Sequence, residues 1–145
     1  MKSDSVVQVA GSSLAMSSYY IRDFFLDDPD GVLNESQNAM GLEITFGEVK
    51  GRPDDASALY RMVMNVYVDA GPEEPTSDSP CRLGVIGEFC VQSQEDVAAD
   101  ETRDHLRVEG AQELYAMAKS TMASLTALAP TGAIVLPSVS FGLSD

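Results

Sequence analysis

The run Ala58-Leu59-Tyr60-Arg61-Met62-Val63-Met64-Asn65-Val66-Tyr67-Val68-Asp69-Ala70 decides the architecture. Tyr60, Met62, Met64, Val66 and Val68 share one parity; Arg61, Asn65 and Asp69 share the other, with Leu59, Val63 and Tyr67 interleaved. Alternation with period two predicts a long strand with one face buried. Gly71 to Pro80 follows, with three prolines and several carboxylates, and reads as a loop. Arg82 to Gln92 then places Leu83, Val85, Phe89 and Val91 on one face, a second strand of the same kind. Two such strands joined by one loop are expected to pair antiparallel.

Working outward, Gly41 to Glu48 alternates Leu42, Ile44 and Phe46 with Glu43, Thr45 and Gly47, a half-buried strand, and Gly51 to Asp55 breaks it. Tyr19 to Leu26 is dense in aromatic and β-branched residues and reads as the first strand. Simple alternation puts Tyr19, Ile21 and Phe25 on one of its faces and Tyr20, Phe24 and Leu26 on the other. Asp27-Asp28-Pro29-Asp30-Gly31 is a turn, and Val32 to Met40 an irregular connection carrying Val32, Leu33 and Met40. Residues 1–18 read as a flexible, Ser-rich arm and residues 19–145 as one domain. Ser93 to His105 is acidic and polar, and leads into one long helix, about Leu106 to Leu128. There Val108, Ala111, Tyr115, Ala118, Met122 and Leu125 recur at spacings of three and four. Pro130 ends the helix, and Thr131 to Asp145 is an extended apolar tail. The expected fold is α+β: a four-stranded antiparallel sheet, a meander with a crossover, plus one long C-terminal helix. Strands without helices between them exclude a βαβ arrangement.

Composition narrows the function. A chain of 145 residues can bury roughly 68–70% of its unfolded surface, so no disulfide or metal staple is required. Nine Lys and Arg against 23 Asp and Glu give a net charge of −14. That balance argues against nucleic acid and against anionic membrane surfaces, and favours basic partners. No transmembrane span and no convincing signal peptide is read; the apolar Val6, Val7, Val9 and Ala10 are interrupted by Gln8 and by Gly11-Ser12-Ser13. Cys81 and Cys90 on one strand would stand about 30 Å apart on opposite faces, so both are expected as free, small hydrophobes in a reducing cytosol.

Catalytic signatures are missing. His105 is the sole histidine and sits in an acidic segment, where it gives no zinc set with Cys81 and Cys90. No glycine-rich loop has phosphate-cradling spacing. The pairs Asp27-Asp28, Asp54-Asp55 and Glu73-Glu74 read as solvated turns, and none has the alternating ligands of a calcium loop. No enzyme, cofactor or metal is expected. The informative feature is an absence: from Leu114 to Leu143 only Lys119 is charged. The back of the helix is built from Ala116, Ser120, Ala123 and Ser124, small residues that admit close approach by another layer. One sheet covers one side of a helix, so a second protomer is the expected cover for the other; the alternative is the tail folding back.

Tyr19-Tyr20-Ile21-Arg22-Asp23-Phe24-Phe25-Leu26-Asp27-Asp28-Pro29 resembles the opening strand of the SecB chaperone family. Leu59 to Val68 resembles its third strand and Leu83 to Val91 its fourth. Leu114-Tyr115-Ala116 through Leu128-Ala129-Pro130, then Ile134-Val135-Leu136-Pro137-Ser138-Val139-Ser140-Phe141, is similar to its long helix and the apolar exit behind it. The resemblance implies a cytoplasmic, ATP-independent chaperone that holds unfolded clients, either preproteins bound for translocation or the antitoxin of a toxin–antitoxin pair. It implies a homotetramer built as a dimer of dimers, with helices between sheets. The client groove is expected from Tyr20, Phe24, Leu26, Leu33, Met40, Ile134, Leu136 and Phe141, and the oligomer interface from Tyr19, Ile21, Glu109, Ala116, Ser120 and Ala123. The family's SecA motor is an implied partner, but the chain as given ends at Asp145, soon after Phe141, without the second helix and zinc-contacting tail of export SecB. In that respect it is more similar to SecB-like chaperones of toxin–antitoxin systems. The rival readings are a non-chaperone oligomeric adaptor and a small-ligand binder with its pocket between sheet and helix.

Overall fold

A computed structural model describes residues 14–35, 38–47, 50–51, 58–70, 74–91 and 100–142. The expected arm up to residue 13, the break after Gly51, the Asp54-Asp55 pair, Glu73 and the stretch 92–99 lie outside the described residues. In order, the elements are β1 (Leu14–Leu26), α1 (Val32–Glu35), β2 (Asn38–Phe46), β3 (Lys50–Gly51), β4 (Ala58–Ala70), β5 (Cys81–Val91) and α2 (Asp100–Thr126). The architecture is α+β, four long antiparallel strands and one long helix, as the alternation predicts.

The order across the sheet is β1-β5-β4-β2, with the two-residue β3 also pairing β4. β4 and β5 form the central antiparallel pair, Ala58 opposite Val91 and Val68 opposite Cys81. β1 and β2 are opposite edges, so the connection through α1 crosses the whole sheet; this is the crossover, and the strands are not a plain meander. β1 begins five residues ahead of the expected Tyr19, which takes Leu14 to Ser18 out of the expected arm and into the ladder with β5.

Alternation in β4 and β5 is strict: Tyr60, Met62, Met64, Val66, Val68, Leu83, Val85 and Phe89 are all buried beneath α2. β1 departs from it. Register shifts fall between Met16 and Ser18 and between Ile21 and Asp23, opposite consecutive residues of β5. Each bulge inserts one residue and reverses parity. Tyr19, Ile21, Phe24 and Leu26 therefore share the helix side, opposite Gly87, Val85, Leu83 and Cys81, and Tyr20 and Phe25 face outward. This corrects the faces expected from uninterrupted alternation.

α2 starts at Asp100, not Leu106, and its 27 residues span about 40 Å. Asp100, Glu101 and Asp104 open it, and carboxylates in a first turn are favoured by the exposed N–H groups there. Leu106, Ala111, Leu114, Tyr115, Ala118 and Met122 are buried against the sheet, whereas Leu125, expected on this stripe, is 39% exposed. The helix ends at Thr126, whose Oγ1 donates to the Met122 carbonyl and accepts from Ile134 N, both at 2.7 Å. That capping turns the chain back along the sheet.

The turn after β1 is a structural joint. Asp28 is 9% exposed and accepts from Val32 N at 2.9 Å, Leu33 N at 3.0 Å and Thr131 Oγ1 at 2.7 Å. It caps α1 and ties the crossover to the chain leaving α2, so it is not the solvated turn residue expected from its acidic neighbour. Burial raises the carboxyl's pKa, but the donors Thr131, Leu33 and Val32 outweigh it and hold the group below its ordinary value. Gly31 sits at φ 69°, where a Cβ would come 2.8 Å from the Pro130 carbonyl oxygen, so glycine alone lets the two segments meet.

Candidate functional site

The apolar residues that the sheet–helix core leaves over gather along β2. Met40, Leu42 and Phe46 are half-buried and Ile44 is 39% exposed, since β2 has no further strand beyond it among the described residues. The chain after α2 runs beside this edge. Ile134 and Leu136 turn in and are buried, Val135 between them is 76% exposed, and Val139 and Phe141 are half-buried. Tyr115 of α2 pins it: its hydroxyl donates to the Pro137 carbonyl at 2.5 Å, with the Met40 sulfur 3.4 Å away. The rings of Tyr115 and Phe141 meet edge-on at 5.9 Å. Burial pushes the Tyr115 hydroxyl's pKa up, so it stays a neutral donor.

Two cavities open along this seam. One of about 210 Å³ is lined by Met40, Val68, Ile134, Val135, Leu136 and Pro137. The other, about 390 Å³, lies toward the far end of β2, between Ile44, Phe46, Met62, Val108, Ala111 and Phe141, with Asp104 and Arg107 at its rim. Arg107 lies 4.9 Å over the Phe46 ring, a cation on an aromatic face beside an acidic partner at 3.8 Å. Among the described residues the seam offers apolar side chains beside a strand edge without a further strand, and no nucleophile paired with a base. Among the described residues no three His, Cys, Asp or Glu side chains group as a metal site. Nor is any described helix long and apolar enough to cross a membrane.

The expected groove residues divide. Met40, Ile134, Leu136 and Phe141 come together at this seam, and Leu33 joins the same core through the Asp28 joint. Leu33, Ile134 and Leu136, however, are 1%, 5% and 2% exposed, so in this conformation they are core and not open wall. Phe24 and Leu26 pack against the core on β1, at the opposite edge of the sheet, and Tyr20, 41% exposed, points to the outer face. Ile44, Phe46 and Val108 belong to the seam and were missed, because in sequence they are ordinary members of a half-buried strand and a helical stripe.

The expected interface residues lie at the surface of the chain. Ala116 and Ser120 are exposed, Ala123 and Glu109 half-buried, and Ile21 on β1 is 44% exposed. Met117 and Leu125, 41% and 39% exposed, add apolar side chains to the surface of α2. Tyr19 is spent within the chain, its hydroxyl sharing a 2.6 Å hydrogen bond with Thr121. Beside Glu109, burial and then the like charge push the Glu113 carboxyl's pKa up.

No protein-family model matches the sequence, and no curated protein does. Solved structures do match the fold. A protein of unknown function from Streptococcus agalactiae superposes with a TM-score of 0.55 at 13% identity, over 86% of this chain and 96% of that one. A SecB-like chaperone from Mycobacterium tuberculosis, Rv1957, solved in complex with a ChAD peptide from the HigA1 antitoxin, superposes with a TM-score of 0.55 at 12% identity, over 90% of this chain and 93% of that one. The chain therefore has the fold of a SecB-like chaperone.

Proposed function

We propose that this chain is an ATP-independent holding chaperone that binds unfolded polypeptide along the seam between β2, α2 and the segment Ile134 to Phe141. The observation that supports the reading is the pair of cavities beside a strand edge that no further strand covers among the described residues, with the apolar Met40 and Phe141 half-buried at their walls. The nine residues of β2 offer about 30 Å of edge, enough for an extended client to add backbone hydrogen bonds while alternate side chains enter the cavities. Each apolar side chain buried contributes roughly 1.5–3 kcal/mol, so a few together reach micromolar affinity after ordering costs. The apolar burial is non-directional, and neither it nor the backbone pairing needs a nucleotide, metal or cofactor.

The fold relative seated with an antitoxin peptide supports a client of that class, a short segment of an otherwise unfolded antitoxin, ahead of a range of preproteins. The working unit in this proposal is a cytoplasmic homotetramer in which a partner covers the uncharged side of α2 at Ala116, Ser120 and Ala123, next to Ile21. The function is tested by aggregation suppression, with several unrelated unfolded proteins diluted from denaturant in the absence of ATP. Protection of all of them supports general holding, and protection of an antitoxin alone supports a dedicated chaperone. Protection of none contradicts the proposal.

A further inference from the structure

The face of the sheet turned away from α2 carries another cavity, of about 330 Å³, lined by charged and apolar side chains together. Two adjacent rows across the strands build it. Phe25, Arg82 and Tyr67 stand opposite one another on β1, β5 and β4, and Asp23, Gly84 and Asn65 form the next row. Gly84 lies beneath three of the lining side chains: a Cβ there would lie 2.4 Å from Asp23 Oδ1, 3.0 Å from Asn65 Oδ1 and 3.2 Å from Arg22 Nε. Only a bare backbone lets those side chains converge above the middle strand. The volume is at the small end of the roughly 300–1,000 Å³ of ligand sites.

The charges of the cavity do not balance within it. Arg22 is matched, Nε 3.5 Å from Asp23 Oδ2 and Nη2 donating to Asn65 Oδ1 at 2.7 Å. Tyr67 is matched, its hydroxyl donating to Glu43 at 2.5 Å. Arg82 is not. Its Nη1 donates to the Ser77 carbonyl at 2.8 Å and its guanidinium lies 4.1 Å over the Phe25 ring, but it makes no ion pair among the described residues. Its Nε is sealed from solvent without a hydrogen-bond partner. A buried donor left unmade costs about 1–3 kcal/mol, more on a charged group. The net charge of the chain is −14, yet no carboxylate among the described residues forms an ion pair with this guanidinium.

We propose that this cavity is a carboxylate-binding site, with Arg82 as the anion's partner and the exposed Phe25 ring as a wall for the ligand's apolar body. The guanidinium fork matches the two oxygens of a carboxylate. A small organic acid and a glutamate side chain of a bound peptide present this same chemistry. The site stands on the opposite face from the α2 seam and does not depend on the chaperone reading.

The test is calorimetric titration of the full chain with benzoate, and separately with an end-blocked peptide carrying one glutamate, against its glutamine analogue. Saturable binding of either ligand is expected, at millimolar affinity or tighter, about −4 kcal/mol. Benzoate alone binding would identify a small-acid site, and the glutamate peptide alone a peptide site; both uphold a carboxylate pocket. Arg82→Gln and Arg82→Lys should each weaken binding at least about tenfold, since a lysine keeps the charge but not the fork. Phe25→Leu, at a 45% exposed position, should weaken it as well with little change in melting temperature. The proposal is overturned if neither ligand saturates by about 10 mM, or if binding survives both Arg82→Gln and Phe25→Leu.

Discussion

Asp28→Ala should unfasten the joint between the crossover and the chain leaving α2. The wild-type carboxylate accepts from Val32 N, Leu33 N and Thr131 Oγ1 at 2.9, 3.0 and 2.7 Å. Loss of a helix cap costs about 1 kcal/mol, and loss of a buried hydrogen bond to a charged group about 1.5–3 kcal/mol. Relief of the carboxylate's own desolvation returns part of this, leaving a net loss of about 2–3 kcal/mol, or roughly 30-fold or more in the unfolding equilibrium. For a domain near this size that is a fall in melting temperature of roughly 6–10 °C. The assay is urea unfolding of the wild type, Asp28→Ala, Thr131→Val and the double variant. The two single changes should couple by about 1 kcal/mol, because they share one bond. The carboxyl's folded pKa lies below its ordinary value of 3.8. Its contribution is therefore complete above that value and is lost as pH falls below it toward the folded pKa, and Asp28→Asn should lack this acid-side loss. Coupling below about 0.3 kcal/mol, or the same acid profile in Asp28→Asn, would refute the joint.

Three further expectations follow from burial. Leu33→Ser combined with Leu136→Ser should unfold the chain or lower its melting temperature by more than about 10 °C, since each position is core and large-to-small changes there cost about 2–5 kcal/mol; a melting temperature within about 3 °C of wild type would return both residues to an open groove. If a partner covers α2 as proposed, Ala116→Glu or Ser120→Glu should split the assembly by light scattering, because each would place a charge in the proposed interface; a wild-type monomer would remove the interface altogether. Cys81 should resist alkylation at neutral pH until the chain is denatured, as burial, followed by the nearby Asp28, raises its thiol to about 11. Its sulfur packs 3.6 Å from that of Met122. Rapid labelling of the folded protein at Cys81 would show that this part of the core opens.

Strict alternation made β4 and β5 readable to within a residue, because each buries one face along its whole length. β1 was readable as a strand but not in its faces: Ser17 and Arg22 are inserted against β5, and nothing local distinguishes an inserted residue from its neighbours. The start of α2 was obscured by the acidic residues that favour a helix N-terminus. Leu33, Ile134 and Leu136 carry the same apolar signal whether they line a groove or fill a core; what buries them are contacts distant in sequence, Asp28 to Thr131 and Tyr115 to Pro137. The outer cavity did leave a trace. Gly84 interrupts β5 on that face, and glycine inside a strand signals close approach of another group.

The central claim, that the β2–α2 seam holds unfolded polypeptide, is tested most directly by fluorescence anisotropy with a labelled, permanently unfolded polypeptide. Wild type and Phe141→Ser are titrated in the same buffer without nucleotide. Phe141 is half-buried, meets the Tyr115 ring at 5.9 Å and lines the larger cavity. The account predicts micromolar binding by wild type, at least about tenfold weaker in Phe141→Ser, with melting temperatures within about 5 °C of each other. Equal affinity of the two proteins for the polypeptide, or no binding by wild type, would contradict it.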